Sequence, residues 1–258
     1  MAPKMVLGNP PKSHGPQNGS LLLIGGSLTG SRIIHEVAAS LAGNPSRWVI
    51  IPTAAGDSQL DVAANPNNLV NIIGQPSKIL HTRNREEANT EKFVAPLHDA
   101  TAVWIQGGRQ YRLMDAYDGT RTITELRKVL DRGGLIAGTS AGATIQGSYL
   151  VRGAPSDDNS IVMYPGREEA FGFLSNVAVD QHVGSRNRDS HLSAVVQRYP
   201  HLLGVGIDDE TAIFVRGNTM QVIGQGRVLI TDGQNYGGAP FHVLRHDDQY
   251  DLVRWSKL

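Results

Sequence analysis

Apolar residues along this chain fall into two periods. Short continuous runs, Leu21-Leu22-Leu23-Ile24, Trp48-Val49-Ile50-Ile51 and Ala102-Val103-Trp104-Ile105-Gln106, end in glycine or proline turns and read as strands buried on both faces. Between the first two, Ile33, Ile34, Val37, Ala38 and Leu41 recur at helical spacing, and Gly43 is a natural stop. Strand, helix, strand at this spacing is a βαβ unit and predicts a parallel sheet covered on both faces. The pattern continues with a helix over 67–73, a short strand over 78–80 and one surface helix over 86–97. A helix over 122–130, with Ile123, Leu126 and Leu130 on one face, leads into the apolar run Leu135-Ile136-Ala137.

Further along, the pattern changes. Residues 153–168 form a polar loop containing Pro155 and Pro165, followed by a strand over 176–181 and a helix over 189–199 closed by Pro200. Short alternating runs then dominate, over 212–215, 220–223, 227–230 and 251–255, separated by glycines. These predict antiparallel strands and hairpins on the edge of the parallel sheet. The expected fold class is therefore α/β, with a mostly parallel central sheet flanked by helices and antiparallel strands added in the C-terminal part. Residues 1–19, rich in proline and glycine, read as a flexible leader, and 20–258 as a single domain.

Composition narrows the chemistry. The 258 residues carry a formal net charge of zero, which argues against nucleic acid or a membrane surface as partner. No run approaches the ~18 apolar residues of a membrane span, and residues 1–20 lack the apolar centre of a secretory signal. The compartment stays open between cytoplasmic and secreted. With no cysteine, only hydroxyl, imidazole and carboxylate chemistry remains. The chain lacks His-Glu-x-x-His, and Gly25-Gly26-Ser27-Leu28-Thr29-Gly30 does not match Gly-x-Gly-x-x-Gly, so neither a metal nor a cofactor is expected.

What stands out is Gly138-Thr139-Ser140-Ala141-Gly142, which follows the apolar run and precedes small, helix-compatible residues. This is the pattern of a nucleophile elbow: a tight turn that exposes Ser140 Oγ and aims the Ala141 N–H toward the same spot. The same pattern also suits a plain strand-to-helix connection. Among nine histidines, His182 follows the strand run Val177-Ala178-Val179 where strand gives way to loop, a place where α/β sites are built. It reads either as a general base or as a hydrogen-bonded strand-end histidine. Asp208-Asp209-Glu210 is either a solvated turn or the source of the acid that orients His182. Gly107-Gly108 is either a loop or the second oxyanion donor. Arg186 and Arg188 are surface cations by default, or a pair that grips a substrate carboxylate.

Together, Gly138 to Ala143, Gly107-Gly108-Arg109-Gln110, Asp180-Gln181-His182-Val183-Gly184-Ser185-Arg186-Asn187-Arg188 and Gly206 to Ala212 occur in the order seen in cyanophycinases. The chain resembles that family from about Leu21 to Val215. The resemblance implies a serine peptidase of the aspartyl dipeptidase type, with a fold similar to class I glutamine amidotransferases. It implies release of β-aspartyl-arginine dipeptides from cyanophycin, a polyaspartate bearing arginine on its side-chain carboxyls, and a homodimer. By the same resemblance Ser140 is the nucleophile, His182 the base and Asp209 the acid. Gly108 and Ala141 form the oxyanion hole, and Gln110, Arg186 and Arg188 hold substrate. Four positions depart from the family pattern: Arg109 replaces Asp or Asn, Asp209 replaces Glu with Glu210 beside it, His191 replaces an arginine, and Val183 replaces an aromatic. Arg109 would disfavour a cationic side chain nearby. This leaves two alternatives open, a peptidase for another aspartyl or isoaspartyl peptide and a non-catalytic peptide-binding relative.

Overall fold

The computed structural model describes residues 14–60, 68–156 and 158–258. Its larger sheet has nine strands in the order β13-β12-β9-β8-β1-β5-β4-β2-β3. The parallel part is β1 (Ser20–Ile24), β5 (Leu135–Thr139), β4 (Ala102–Ile105), β2 (Trp48–Ile51) and β3 (Ser77–Ile79). The first four of these bury every residue, as their unbroken apolar runs require. Helix α1 (Arg32–Leu41) turns Ile34 and Ala38 into one core layer, while α6 (Arg121–Asp131) turns Leu126, Val129 and Leu130 into the other. On its free side β1 takes β8 (Thr211–Arg216) antiparallel, and β9 (Thr219–Gly224), β12 (Gln249–Asp251) and β13 (Ser256–Lys257) continue outward.

The remaining strands do not join this edge. A second sheet of four strands, in the order β11-β10-β7-β6, contains β6 (Val177–Gln181), β7 (Leu203–Ile207), β10 (Val228–Thr231) and β11 (His242–Leu244). The expected run over 227–230 is thus a strand, but in the second sheet. Strand β7 was not distinguished by periodicity at all, because it is apolar throughout yet contains Gly204 and Gly206. The expected strand over 251–255 is cut at Asp251, whose carboxylate accepts the Val253 and Arg254 N–H groups and closes a turn.

Local capping reshapes the helices. The single helix expected over 86–97 is broken into α3 (Arg85–Ala88), α4 (Glu91–Val94) and a 3-10 turn containing Pro96, because Asn84 and Thr90 each cap a new N-terminus. Helix α2 (Leu69–Ile72) occupies most of the expected 67–73, with Asn67 outside the described residues. Helix α5 (Gln110–Tyr117), directly after Gly107-Gly108, was missed by the periodicity, although Leu113, Ala116 and Tyr117 are its buried face. The helix expected over 189–199 is α8 (Leu192–Arg198).

Of the expected leader, residues 1–13 lie outside the described residues. Residues 14–19 pack on the body: the Gly15 N–H donates to Gly217 O at 2.8 Å and His14 Nδ1 lies 2.9 Å from Ser175 O. Among the described residues no helix is long and apolar enough to cross a membrane.

Candidate active site

Strand β5 ends at Thr139, Ser140 takes φ 53° and ψ −116°, and the short helix α7 (Ala141–Thr144) begins at once. The two flanking glycines are dictated by close approach. A Cβ on Gly138 would lie 2.3 Å from Gly142 O, and one on Gly142 would lie 2.0 Å from Ile105 O. The sequence therefore folds into the expected elbow because no other residue fits on either side of the serine.

His182 follows β6 and Asp209 follows β7, so the carboxyl ends of the second sheet meet those of β1 and β5 in the first. His182 Nε2 lies 3.1 Å from Ser140 Oγ, and His182 Nδ1 lies 2.5 Å from Asp209 Oδ1. The other Asp209 oxygen accepts the Ser185 hydroxyl. Of the neighbouring acids, Asp208 is held by the Gly184 and Arg227 N–H groups and by the Arg227 side chain. The Glu210 carboxylate lies against Gly30. Only Asp209 reaches the imidazole.

The end of β1 and the residues just after it, Ile24 to Ser27, hold these pieces together. Ser140, His182 and Glu210 all have positive φ, 53°, 54° and 53°, at a cost of about 1–3 kcal/mol each. Each donates its N–H to this one segment: Ser140 to Ile24 O at 2.9 Å, His182 to Gly25 O at 3.1 Å and Glu210 to Ser27 O at 3.2 Å. Gly26 forms the floor under the acid–imidazole pair. A Cβ there would lie 1.9 Å from Asp209 Oδ1 and 2.2 Å from His182 Cε1. In the sequence this glycine run reads as a strand-ending turn that does not match a dinucleotide loop. Two glycines at the end of a buried strand were the signal of close approach.

On the opposite side of Ser140, Gly107 comes so near that a side chain there would lie 3.2 Å from Ser140 Cβ. Gly108 has φ +147° and is pressed against Ala54 O, which accepts the Arg109 N–H at 2.8 Å. Among the described residues, neither the Gly108 nor the Ala141 N–H is taken by a protein acceptor. Gln110 is buried; its Nε2 donates to Val151 O at 3.1 Å and its Oε1 has no partner. Arg109 is half-buried beside it, and Arg186 is exposed past the imidazole. The two arginines expected to bind a substrate carboxylate are held differently. Arg188 is buried and turned inward, donating to Gln181 O at 3.2 Å and Asn159 O at 3.4 Å, because its side chain lies over the β6 carboxylate Asp180. Burial brings its pKa down to about 10.

Electrostatics favour a neutral imidazole. Burial lowers the His182 pKa, Asp209 opposes this, and the Arg186 and Arg188 charges lower it further. A neutral ring bonded to a carboxylate at Nδ1 presents its Nε2 lone pair to the serine hydroxyl. That is the protonation state a general base requires. Among the described residues no cluster of three or more His, Asp or Glu gathers around a point where a metal ion could sit.

Known proteins agree with this architecture. The chain is 30% identical to the cyanophycinase of Nostoc sp., the match covering 93% of this chain and 87% of that one. It is 28% identical to the cyanophycinase of Geminocystis herdmanii, over 90% and 93% of the two chains. The crystal structure of a peptidase from an acI-B1 Actinobacterium superposes with a TM-score of 0.69 at 25% identity, covering 92% of this chain and 98% of that one. A putative peptidase E protein from Listeria monocytogenes, at 16% identity and a TM-score of 0.58 over 81% of this chain and 99% of that one, shares the fold. The model of peptidase family S51 matches residues 21–223, and the chain belongs to that family.

Proposed function

We propose that this chain is a cyanophycinase-like serine peptidase that releases β-aspartyl-arginine dipeptides from cyanophycin. The observation that carries this is the run of contacts Ser140–His182–Asp209 in a chain this similar to cyanophycinases. Ser140 Oγ attacks the scissile carbonyl carbon while its proton passes to His182 Nε2. The carbonyl electron pair moves onto oxygen, which the Gly108 and Ala141 N–H groups receive. Collapse breaks the C–N bond, and His182 returns the proton to the leaving amine. Water, deprotonated by His182, then attacks the acyl-serine ester, and His182 returns that proton to Ser140 Oγ as the C–O bond breaks. Asp209 holds the ring and stabilises the imidazolium. Gln110 and Arg186 grip the peptide. A homodimer rests on the resemblance alone and is checked by light scattering.

Incubation with purified cyanophycin, followed by mass analysis, tests the reading: dipeptide products support it, and an untouched polymer refutes it. Arg109 beside Gly108 favours a second reading, in which the preferred peptide is a β-aspartyl peptide without a cationic side chain. Faster release from such peptides than from cyanophycin would select it. Labelling of Ser140 by a fluorophosphonate excludes a non-catalytic binding role, since only an activated serine reacts.

Two further outcomes follow from the geometry. Gly26→Ala is expected to push the His182–Asp209 pair out of line and lower kcat by on the order of 100-fold, with far-ultraviolet circular dichroism unchanged. In the pH profile of kcat/KM, activity requires neutral His182 and falls as pH drops through its pKa. Because burial lowers that pKa, the acid limb lies at lower pH than for an ordinary histidine. Arg186→Gln removes one lowering charge and is expected to move the acid limb upward; an unmoved limb would contradict this account.

A further inference from the structure

A second cluster of buried charge begins two residues before His182. Asp180 on β6 is fully buried, and Arg152 grips its carboxylate with a fork, Nε to Oδ1 at 3.0 Å and Nη2 to Oδ2 at 2.7 Å. The same guanidinium donates through Nη1 to Asn159 O at 2.7 Å and Ser160 O at 3.4 Å. Through Nη2 it reaches His191 Nδ1 at 2.9 Å. Arg188 stands 3.7 Å from Asp180 and donates to Asn159 O as well. Two buried cations thus share one carboxylate. Apolar side chains of similar volume would fill this space without the desolvation penalty, so stability alone does not account for the cluster.

Geometry gives it a purpose. Arg152 has φ 59°, its N–H donates to Val162 O at 2.9 Å, and the carbonyl of Val151 just before it accepts Gln110 Nε2. One residue therefore joins the wall carrying Gln110, the strand leading to His182, the start of α8 and the segment 158–161. Asp158 in that segment has its pKa lowered by hydrogen bonds from Ser160 and, more weakly, by the Arg109 charge.

We propose that Arg152 is a positioning residue that latches the segment 158–161 to the strand leading to His182 and to the wall carrying Gln110, setting how tightly a peptide is held rather than how fast its bond is broken. This rests on the serine peptidase reading of the site. Arg152→Lys keeps a cation for Asp180 but lacks the fork that spans Asp180, His191 and both carbonyls. For this variant KM is expected to rise about tenfold or more, with kcat within about threefold of the parent. Amide hydrogen exchange of residues 153–162 should speed up by about tenfold while that of β5 and β6 stays unchanged. Unchanged KM with unchanged exchange overturns the proposal, as does a fall in kcat at constant KM. Should Arg152→Lys fail to fold, His191→Ala removes one acceptor and should move KM and loop exchange in the same direction by less; no movement overturns the latch. The two readings fail separately. Absence of both Ser140 labelling and peptide turnover in the parent protein defeats the peptidase reading, whereas loop exchange decides the latch without any substrate.

Discussion

Ser140→Ala is expected to lower kcat for release of β-aspartyl-arginine from cyanophycin by roughly 10⁶-fold, leaving a residue of activity from the oxyanion donors and binding. The size follows from what is removed. Without Oγ there is no atom to form the ester, and His182 has no proton to take, so the whole covalent route is lost in one substitution. The elbow backbone does not depend on the hydroxyl. Its shape comes from the Ser140 N–H bond to Ile24 O and from the close packing of Gly138 and Gly142, and alanine keeps both. The melting temperature should therefore stay within a few degrees of the parent, and KM should change little. Rates of product formation measured by mass spectrometry at high enzyme concentration check both points. A variant retaining a tenth of the parent rate would place the nucleophile elsewhere.

The second large effect separates the two neighbouring acids. Asp209→Asn is expected to reduce kcat by about 10⁴-fold, because the amide can present an N–H to Nδ1 and hold the ring in the wrong tautomer, with no negative charge to stabilise the imidazolium. Glu210→Gln should leave kcat within about threefold, since that carboxylate faces Gly30 and not the imidazole. The pair of measurements is decisive. Equal losses in both variants, or a larger loss at Glu210, would transfer the orienting role to glutamate. Loss of the Asp209 charge also removes the main influence that raises the His182 pKa, so whatever activity remains should show its acid limb at lower pH.

Much of the fold was legible in the chain. Fully apolar runs ending in glycine or proline turns mark β1, β2, β4 and β5, because a strand covered on both faces has no polar position to break its pattern. The elbow was equally legible, since Gly138 and Gly142 flank Ser140 within five residues and the signal is local. Less was visible at 86–97, where the apolar spacing of one helix is overruled by Asn84 and Thr90, each able to cap a separate turn. The second sheet was invisible. Strands β6 and β10 look like any other apolar run, and which sheet a strand joins depends on partners far away in sequence.

The candidate site divides in the same way. By itself, the sequence determined the α/β class, the turn that exposes Ser140, and the supply of an imidazole and three adjacent acids at later strand ends. Tertiary structure alone decided that Asp209 meets His182, that Arg188 turns inward to Asp180, and that Gly26 lies beneath the acid and the ring. Periodicity and turn chemistry are set by residues a few positions apart, so they can be read directly. Which side chain of 208–210 faces the histidine is set by a positive φ at Glu210 and by its bond to Ser27, 183 positions earlier in the chain. Only the folded backbone brings those positions within reach of each other.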